Sequence, residues 1–314
     1  MGGCMETGKR IQILLSTYNG ERYLREQLDS FIKQDNYSEI KILIRDDGSE
    51  DGTADILREY EDKEGFEILY GLHVGITSSY KLLLQKRDKS CEYIAFSDQD
   101  DVWLPNKLTI AIQKIESCSN PEIPTLFASS SLIVNEQLVP IGKSILPVYG
   151  LSFFNAMVQN ICPGHTQVMN RKLCDWLQRG DISRAHALDW WTYLLASGAG
   201  QVVFSEECTV LHRQHKRNAV GYQLDPVRLF FTRLKRVRSN EAPQITRQLK
   251  YFVSDYRDII FEQYRLEAER FIDSQDSIRS RIAYAMAGKC FRQTWVESLL
   301  VRCLYITGKY RIKD

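Results

Sequence analysis

The chain contains 314 residues, of which 44% are hydrophobic and 26% charged, and its formal net charge is +1. This composition predicts a folded globular protein and excludes disordered and fibrous chains. A net charge near zero argues against a general nucleic-acid-binding protein, and no stretch reaches the ~18 consecutive apolar residues of a membrane span.

Short apolar runs alternate with helical patterns through the first third of the chain. The apolar runs predict strands at Ile11–Leu15, Ile40–Ile44, Phe66–Tyr70 and Tyr93–Phe96. Helical spacing and helix-start signals predict helices at Glu21–Lys33, Asp51–Tyr60 and Ser79–Gln85. This alternation predicts a parallel sheet with helices on both of its faces.

Polar clusters follow three of the predicted strands. Ser16–Asn19 comes after the first strand, Asp46–Ser49 after the second and Ser97–Asp101 after the fourth. Ligands of parallel α/β sheets bind beyond the carboxyl ends of the strands. The three clusters are therefore expected to meet in one crevice.

Two of these clusters are acidic, and each allows two interpretations. Asp98 and Asp100 stand two residues apart, so both carboxylates can point to one side and hold Mg²⁺ or Mn²⁺. The alternative is an acidic turn in which Asp101 caps a helix beginning near Leu104. Asp46 or Asp47 can accept a hydrogen bond from a nucleobase, or the pair can belong to a turn before the second helix.

The composition changes after about residue 215. Residues 211–250 carry ten Lys or Arg and two Asp or Glu, and a helical pattern continues to the end of the chain. We therefore predict a first domain at 1–215 and a helical region at 216–314, either as a separate lobe or packed on the first domain. Within it, Pro226–Arg238 predicts a basic amphipathic helix, with a solvated face or a face for an anionic membrane.

The eight cysteines form no Cys-x-x-Cys pair, which gives no indication of a zinc or redox motif. Cys162 and Cys303 stand in apolar surroundings. We expect reduced, buried thiols in a cytoplasmic protein.

Three segments carry a family resemblance. Ile13–Asn19 (ILLSTYN), Arg45–Thr53 (RDDGSEDGT) and Phe96–Trp103 (FSDQDDVW) resemble the signature segments of family 2 glycosyltransferases in their order and spacing. Residues 186–191 (HALDWW) and 211–221 (LHRQHKRNAVG) resemble the bacterial rhamnosyltransferase-like branch. The resemblance extends over roughly residues 10–220.

The resemblance implies a GT-A fold, a Rossmann-like and mostly parallel sheet with a C-terminal helical extension, and an inverting sugar transfer. It implies a divalent cation, Mn²⁺ or Mg²⁺, on Asp98 and Asp100, and Asp189 as the catalytic base. It also implies a donor pocket formed by Thr17, Tyr18, Asn19, Asp46, Asp47, Asp98 and Asp100.

The third metal ligand is the main departure from the family pattern. A tyrosine is expected before Arg213, and the chain has His212 there. We predict His215 as the ligand, with His212 as the alternative. His73, in a loop between a strand and a helix, is a weaker candidate for donor contact.

The acceptor side of the cleft is expected to contain Gly164, His165, Trp190 and Trp191. Glycine permits a close backbone approach, whereas His165 is equally consistent with a structural hydrogen bond. Adjacent helical positions point about 100° apart, so one tryptophan is expected to pack inward and the other to face the cleft.

The implied reaction moves a sugar, first of all L-rhamnose from dTDP-L-rhamnose, to a saccharide or lipid-linked acceptor in bacterial cell-surface polysaccharide synthesis. The expected location is cytoplasmic, with peripheral contact at the inner face of the membrane left open. A nucleotidyltransferase is the alternative, although Ser16–Gly20 poorly matches its Gly-rich, Arg-containing loop. A dehydrogenase lacks its Gly-x-Gly-x-x-Gly motif here, and a non-catalytic sugar-binding module would not need Asp98, Asp100 and Asp189 together.

Overall fold

The computed structural model of the chain describes residues 11–118, 120, 122–215 and 241–312. Its strands are β1 Ile11–Thr17, β2 Ile40–Asp46, β3 Phe66–Tyr70, β4 Tyr93–Ser97, β5 Val102–Trp103, β6 Thr125–Val134, β7 Pro140–Lys143, β8 Val168–Asn170 and β9 Gln201–Arg213. In the described part they form one nine-stranded sheet in the order β3-β2-β1-β4-β8-β6-β9-β5, with β7 paired to β6.

The first four strands form the predicted parallel half of the sheet. β1 pairs in parallel with β2 and β4, and β2 pairs in parallel with β3. Every residue of β1 is buried, as expected for a strand covered on both faces. Three helices follow these strands: α1 Leu24–Ile32, α2 Thr53–Arg58 and α3 Ile76–Lys86. The predicted strand–helix alternation is confirmed.

The second half of the sheet is mixed. β6 runs parallel to β9 but antiparallel to β7 and β8. The short strand β5 pairs antiparallel with the end of β9, joining Val102 to Leu211 and Trp103 to Val210. This pairing brings the acidic motif after β4 beside the histidines at the end of β9.

The remaining helices of the described part are α4 Lys107–Glu116, α5 Phe153–Ala156, α6 Arg171–Leu177, α7 Leu188–Ala199, α8 Glu241–Tyr256, α9 Glu262–Asp273, α10 Ile278–Ala287 and α11 Trp295–Ile306. The suggested capping of the helix after the acidic motif by Asp101 is wrong. That helix, α4, begins at Lys107, and Asp101 instead accepts a hydrogen bond from the backbone of Arg213.

The C-terminal helices share a hydrophobic core with the sheet domain. Leu249, Phe252 and Tyr256 of α8 belong to the same buried cluster as Trp191 of α7 and Leu126 of β6. The structure therefore favours helices packed on the first domain over a separate lobe.

Three further expectations concern the rest of the chain. The predicted basic helix at Pro226–Arg238 lies outside the described residues. Among the described helices, none has the length and apolarity needed to cross a membrane. The thiol of Cys162 is buried as expected, but Cys303 is exposed because it lies on the outer side of α11.

Candidate active site

The loops after β1, β2 and β4 are joined by hydrogen bonds. The Gln99 side chain bridges to Tyr18, accepting from its backbone N–H at 2.8 Å and donating to its carbonyl at 3.0 Å. Thr17 Oγ1 donates to Asp46 Oδ1 at 2.9 Å. Asn19 donates its backbone N–H to Ser49 Oγ and accepts the Glu50 N–H on its side chain. The three polar clusters therefore meet at one edge of the sheet.

Asn19 adopts a left-handed backbone conformation with φ of 48°. Asparagine tolerates this region better than most residues because its short polar side chain hydrogen-bonds locally. The Asn19 side chain is thus occupied with positioning the loop after β2.

Asp46 and Asp47 are both buried and already hydrogen-bonded within the protein. Asp46 accepts from Thr17 and from the backbone and side chain of Ser49. Asp47 pairs with Arg45 and accepts from the backbone N–H groups of Val74 and Gly75 at 2.9 and 2.8 Å. Contact of either carboxylate with a nucleobase stays a prediction.

The pKa of Asp47 reflects these partners. Burial opposes its charge, but the Arg45 hydrogen bond and the two backbone donors outweigh burial and lower the pKa. Asp47 therefore stays ionised and anchors the loop that carries His73. The His73 ring lies 4.2 Å from the Tyr18 ring, and the Tyr18 residue is 42% exposed. These two rings form an accessible aromatic surface beside the donor loops.

The three aspartates of the acidic motif have different surroundings. The side chain of Asp98 is 48% exposed, that of Asp100 is 19% exposed and that of Asp101 is fully buried. Asp101 Oδ1 lies 3.0 Å from both the Arg213 backbone nitrogen and His212 Nδ1. Asp101 thus joins the acidic motif to β9, while the side chains of Asp98 and Asp100 remain partly exposed.

Asp100 is paired with His215. His215 Nε2 lies 2.7 Å from Asp100 Oδ2, and the two rings of His215 and Tyr23 are stacked at 5.0 Å. Burial, with the negative charges of Asp101 and Asp98, raises the pKa of Asp100 to about 6 despite the histidine. A carboxylate with a raised pKa among like charges is a site that a cation would stabilise.

His165 and His212 lie beneath the acidic motif with their rings stacked at 4.2 Å. His165 Nδ1 lies 3.7 Å from Asp98 Oδ2 and 3.9 Å from Asp101 Oδ2, and the described part of the chain supplies no hydrogen-bond partner for this Asp101 oxygen. Of its two predicted roles, His165 therefore fits the structural hydrogen bond rather than a place on the acceptor side of the cleft. It is 5% exposed and, besides these carboxylates, contacts Ser131 Oγ at 3.2 Å.

Protonation distinguishes the two stacked histidines. Burial and the neighbouring His212 lower the pKa of His165 to about 3, so His165 is neutral. Burial also opposes the charge of His212, but the Asp101 hydrogen bond and the surrounding carboxylates raise its pKa.

The residues present fit a divalent cation. Two ligand atoms on neighbouring positions of an octahedral Mg²⁺ lie about 3 Å apart, close to the spacing of Asp100 Oδ2 and His215 Nε2. Carboxylate oxygen suits Mg²⁺ and Mn²⁺, and imidazole suits several transition metals. In the described part, the three potential ligands whose atoms all lie within 4.8 Å of one another are Asp101, His165 and His212, and the predicted set of Asp98, Asp100 and His215 does not form such a group. Asp101 Oδ2, which has no hydrogen-bond partner among the described residues, belongs to this group.

Asp189 lies in the first turn of α7, held by backbone donors. Its Oδ1 accepts from the Trp190 N–H at 2.8 Å, and its Oδ2 accepts from the Gly164 N–H at 3.1 Å. A Cβ at position 164 would lie 3.4 Å from the Asp189 Cβ, an ordinary contact distance, so this contact does not by itself require glycine. The Gly164 backbone thus contacts the predicted base, and its place on the acceptor side stays a prediction.

The pKa of Asp189 is raised to about 6. Burial of the carboxyl group is the main cause, and the negative charge of Asp98 raises the pKa further. The backbone donors and the Asn160 side chain act in the opposite direction. A half-buried carboxylate with this pKa can accept a proton near neutral pH, as a general base requires.

The tryptophans after Asp189 are both buried. Trp190 is 6% exposed and donates to the Ala156 carbonyl at 2.6 Å, and Trp191 is fully buried and donates to Tyr256 Oη at 3.1 Å. The expectation that one ring faces the cleft is wrong. Helix α8 packs against the Trp191 side of α7, a contact that the local sequence pattern does not reveal.

Sequence reasoning missed three residues that organise the site: Gln99, Asp101 and Lys107. Lys107 is fully buried, donates to the His165 carbonyl at 3.1 Å and lies 4.4 Å from the Trp103 ring centroid. Burial lowers the pKa of Lys107 to about 7. Its signal in the sequence was only a lysine at the start of a helix, where a solvated position is the ordinary expectation.

Comparisons with known proteins bear on this arrangement. The family described as Glycosyl transferase family 2 matches residues 12–175. The chain is 28% identical to the dTDP-rhamnosyl transferase RfbG of Shigella flexneri, over 66% of this chain and 73% of that protein. It is 26% identical to the putative teichuronic acid biosynthesis glycosyltransferase TuaG of Bacillus subtilis, over 60% of this chain and 73% of that protein.

Solved structures show the same fold at low sequence identity. The S. aureus TarS 1–349 complex with UDP-GlcNAc matches with a TM-score of 0.57 and 16% identity, covering 96% of this chain and 90% of that chain. The mannosyltransferase PcManGT from Pyrobaculum calidifontis, in complex with GDP-Man and Mn²⁺, matches with a TM-score of 0.56 and 15% identity. The match covers 96% of this chain and 86% of that chain.

Proposed function

The chain belongs to glycosyl transferase family 2, and from this premise we propose that it transfers L-rhamnose from dTDP-L-rhamnose, with inversion, to a saccharide or lipid-linked acceptor. As a family member it is a glycosyltransferase that uses a nucleotide-sugar donor in cell-surface glycan synthesis. The alternative of a nucleotidyltransferase has no support in these matches.

The observation that carries the mechanism is the environment of Asp189. An inverting transfer needs one base on the acceptor oxygen, opposite the leaving diphosphate. Two backbone N–H groups fix the Asp189 carboxylate, and burial raises its pKa to about 6. We assign Asp189 to remove the acceptor proton as the new glycosidic bond forms.

Asp98, Asp100 and His215 are the residues we assign to the divalent cation, with His212 as the alternative to His215. A cation bound there would neutralise charge on the leaving diphosphate. The Mn²⁺ named for PcManGT supports this assignment by fold similarity. Asp101 contacts His212 and the Arg213 backbone, and Lys107 donates to the His165 carbonyl, so both help to position the neighbouring histidines.

The nucleotide is assigned to the loops after β1 and β2. Thr17, Asp46 and Asn19 hold these loops together, while Tyr18 and His73 offer an accessible aromatic surface. Stacking of a nucleobase on these rings is consistent with the preference of aromatic groups for offset stacking.

The donor sugar is tested by a panel of nucleotide sugars. Purified protein is incubated with Mn²⁺, an acceptor analogue and dTDP-L-rhamnose, UDP-GlcNAc, UDP-glucose or GDP-mannose, and the glycosylated product is measured by mass spectrometry. We expect dTDP-L-rhamnose to give the highest kcat/KM, as the RfbG similarity suggests. A higher kcat/KM with another donor would reject rhamnose and leave the transferase assignment intact.

A further inference from the structure

Helix α11 carries two opposed stripes of side chains. Glu297, Val301 and Tyr305 are spaced four residues apart and are all buried. On the opposite side, Trp295 is 69% exposed and Leu299 is 53% exposed, and Cys303 continues this stripe. We call Trp295, Val296, Leu299 and Cys303 the apolar face.

The apolar face has no charged side chain of its own. Val296, beside Trp295, is 43% exposed, so three large apolar side chains are open to solvent within two helical turns. Contiguous exposed apolar surface is typical of interaction sites on globular proteins.

A groove of about 420 Å³ borders the apolar face. It is lined by Tyr149, Phe291, Trp295, Ser298, Leu299 and Arg302. The Arg302 guanidinium donates to the Ala285 carbonyl, which fixes α11 on α10. The groove therefore combines apolar walls with a positioned positive charge.

The C-terminal range that contains α11 is almost entirely positive in charge. Residues 278–312 contain one acidic residue, Glu297, which is buried. The basic residues of the same range are Arg279, Arg281, Lys289, Arg292, Arg302, Lys309 and Arg311. A second copy of this surface would bring like charges together, whereas an anionic surface would be attracted.

The apolar face is connected to the acceptor side of the site. Gln293, between the groove and α11, donates its backbone N–H to Gln159 Oε1 at 2.8 Å. The next residue, Asn160, hydrogen-bonds the Asp189 carboxylate through its side chain. Hydrogen bonds and one peptide link therefore connect the segment before α11 to the predicted base.

We propose that the apolar face docks the enzyme on an anionic lipid bilayer. Trp295 and Leu299 enter the boundary between headgroups and acyl chains, and the surrounding Lys and Arg side chains contact the headgroups. A lipid-linked acceptor then presents its sugar on the Asp189 side of the site, and this last clause rests on the proposed function.

Vesicle binding tests the proposal with a matched pair of variants. Leu299→Glu places a charge on the apolar face, and Leu266→Glu does the same at a residue of α9 that is 52% exposed. The full chain and both variants are sedimented with vesicles of phosphatidylcholine alone or with added phosphatidylglycerol. We expect Leu299→Glu to weaken binding to anionic vesicles about tenfold or more, with Leu266→Glu unchanged.

Tryptophan fluorescence gives a second readout. Trp103, Trp190 and Trp191 are buried and Trp176 is half-buried, so Trp295 is the most exposed of the five tryptophans. Anionic vesicles should shift the emission of the parent protein to shorter wavelength, and Trp295→Phe should lose this shift.

Three results would overturn the proposal. One is equal vesicle binding by Leu299→Glu and the parent protein, and another is equal binding to neutral and anionic vesicles. The third is a change from dimer to monomer in Leu299→Glu, by light scattering, without a change in vesicle binding, which would show that a second copy covers the face. Transfer to a soluble acceptor analogue should remain at the parent level in Leu299→Glu, and its absence in both proteins would instead count against the proposed function.

Discussion

At the residue scale, the environment of Asp189 suits its proposed role as a base. The first turn of α7 and the Gly164 backbone supply hydrogen bonds, and burial raises the pKa toward neutrality. A fully solvated aspartate with an ordinary pKa near 3.9 would be a weaker base.

The pH profile tests this environment. The base must be deprotonated, so kcat/KM should rise with pH through about 6 and level off above it. Asp100 also has a pKa raised to about 6, so the profile is measured at saturating Mn²⁺, which competes with protons at that carboxylate. A rise in kcat/KM centred near pH 4 would contradict a buried base at position 189.

Asp189→Asn separates the base from the donor pocket. The amide keeps the size of the side chain but cannot accept the acceptor proton, so we expect transfer to fall about 10²–10⁴-fold. Donor affinity, measured by calorimetry with Mn²⁺, should change little because the base acts on the acceptor. Loss of donor affinity together with turnover would place Asp189 on the donor side or in a structural role.

At the scale of elements, the pairing of β5 with β9 brings together residues more than a hundred positions apart. It sets Asp101 against Arg213 and His212, and Asp100 against His215. The two histidines therefore have different partners, and their removal should have different consequences.

His215→Ala and His212→Ala form a matched comparison. We expect His215→Ala to weaken Mn²⁺ binding about tenfold or more with an unchanged melting temperature. His212→Ala removes a partner of the buried Asp101, which should cost about 1–3 kcal/mol of unfolding free energy. Strong loss of Mn²⁺ binding in His212→Ala alone would favour the set of Asp101, His165 and His212.

The sequence predicts the parallel half of the sheet because its signals are local. Apolar runs and helical spacing identify β1 to β4 and their helices, and the polar clusters follow the strand ends. The environment of His165, the buried tryptophans and the role of Asp101 depend on contacts with β9 and α8, which lie far away in the chain. Local patterns carry no information on such contacts. The sequence therefore indicates which residues could take part in the site, but not which side chains they contact.

At the scale of the whole molecule, the C-terminal helices complete the core that holds α7. Phe252 and Tyr256 pack around Trp191, whose indole N–H donates to Tyr256 Oη. The region from residue 241 onward is therefore structurally coupled to the helix that carries Asp189.

A chain ending at residue 215 tests this coupling. Removing α8 exposes the buried face of α7. Truncating a single buried tryptophan to alanine already lowers the free energy of unfolding by about 3–5 kcal/mol. We expect the shortened chain to bind a hydrophobic dye and to lose its cooperative melting transition. Cooperative melting at the temperature of the full chain would instead show that residues 1–215 form an independent domain.

The nucleotide products of the reaction test the central claim most directly. The full chain is incubated with an acceptor, its preferred nucleotide sugar and Mn²⁺, and the products are separated by chromatography. We predict one nucleoside diphosphate for each sugar transferred, no product after chelation, and loss of most activity in Asp98→Asn and Asp100→Asn with their fold retained. Pyrophosphate as the product, or near-normal turnover by both variants with Mn²⁺, would contradict a metal-dependent sugar transferase built on these carboxylates.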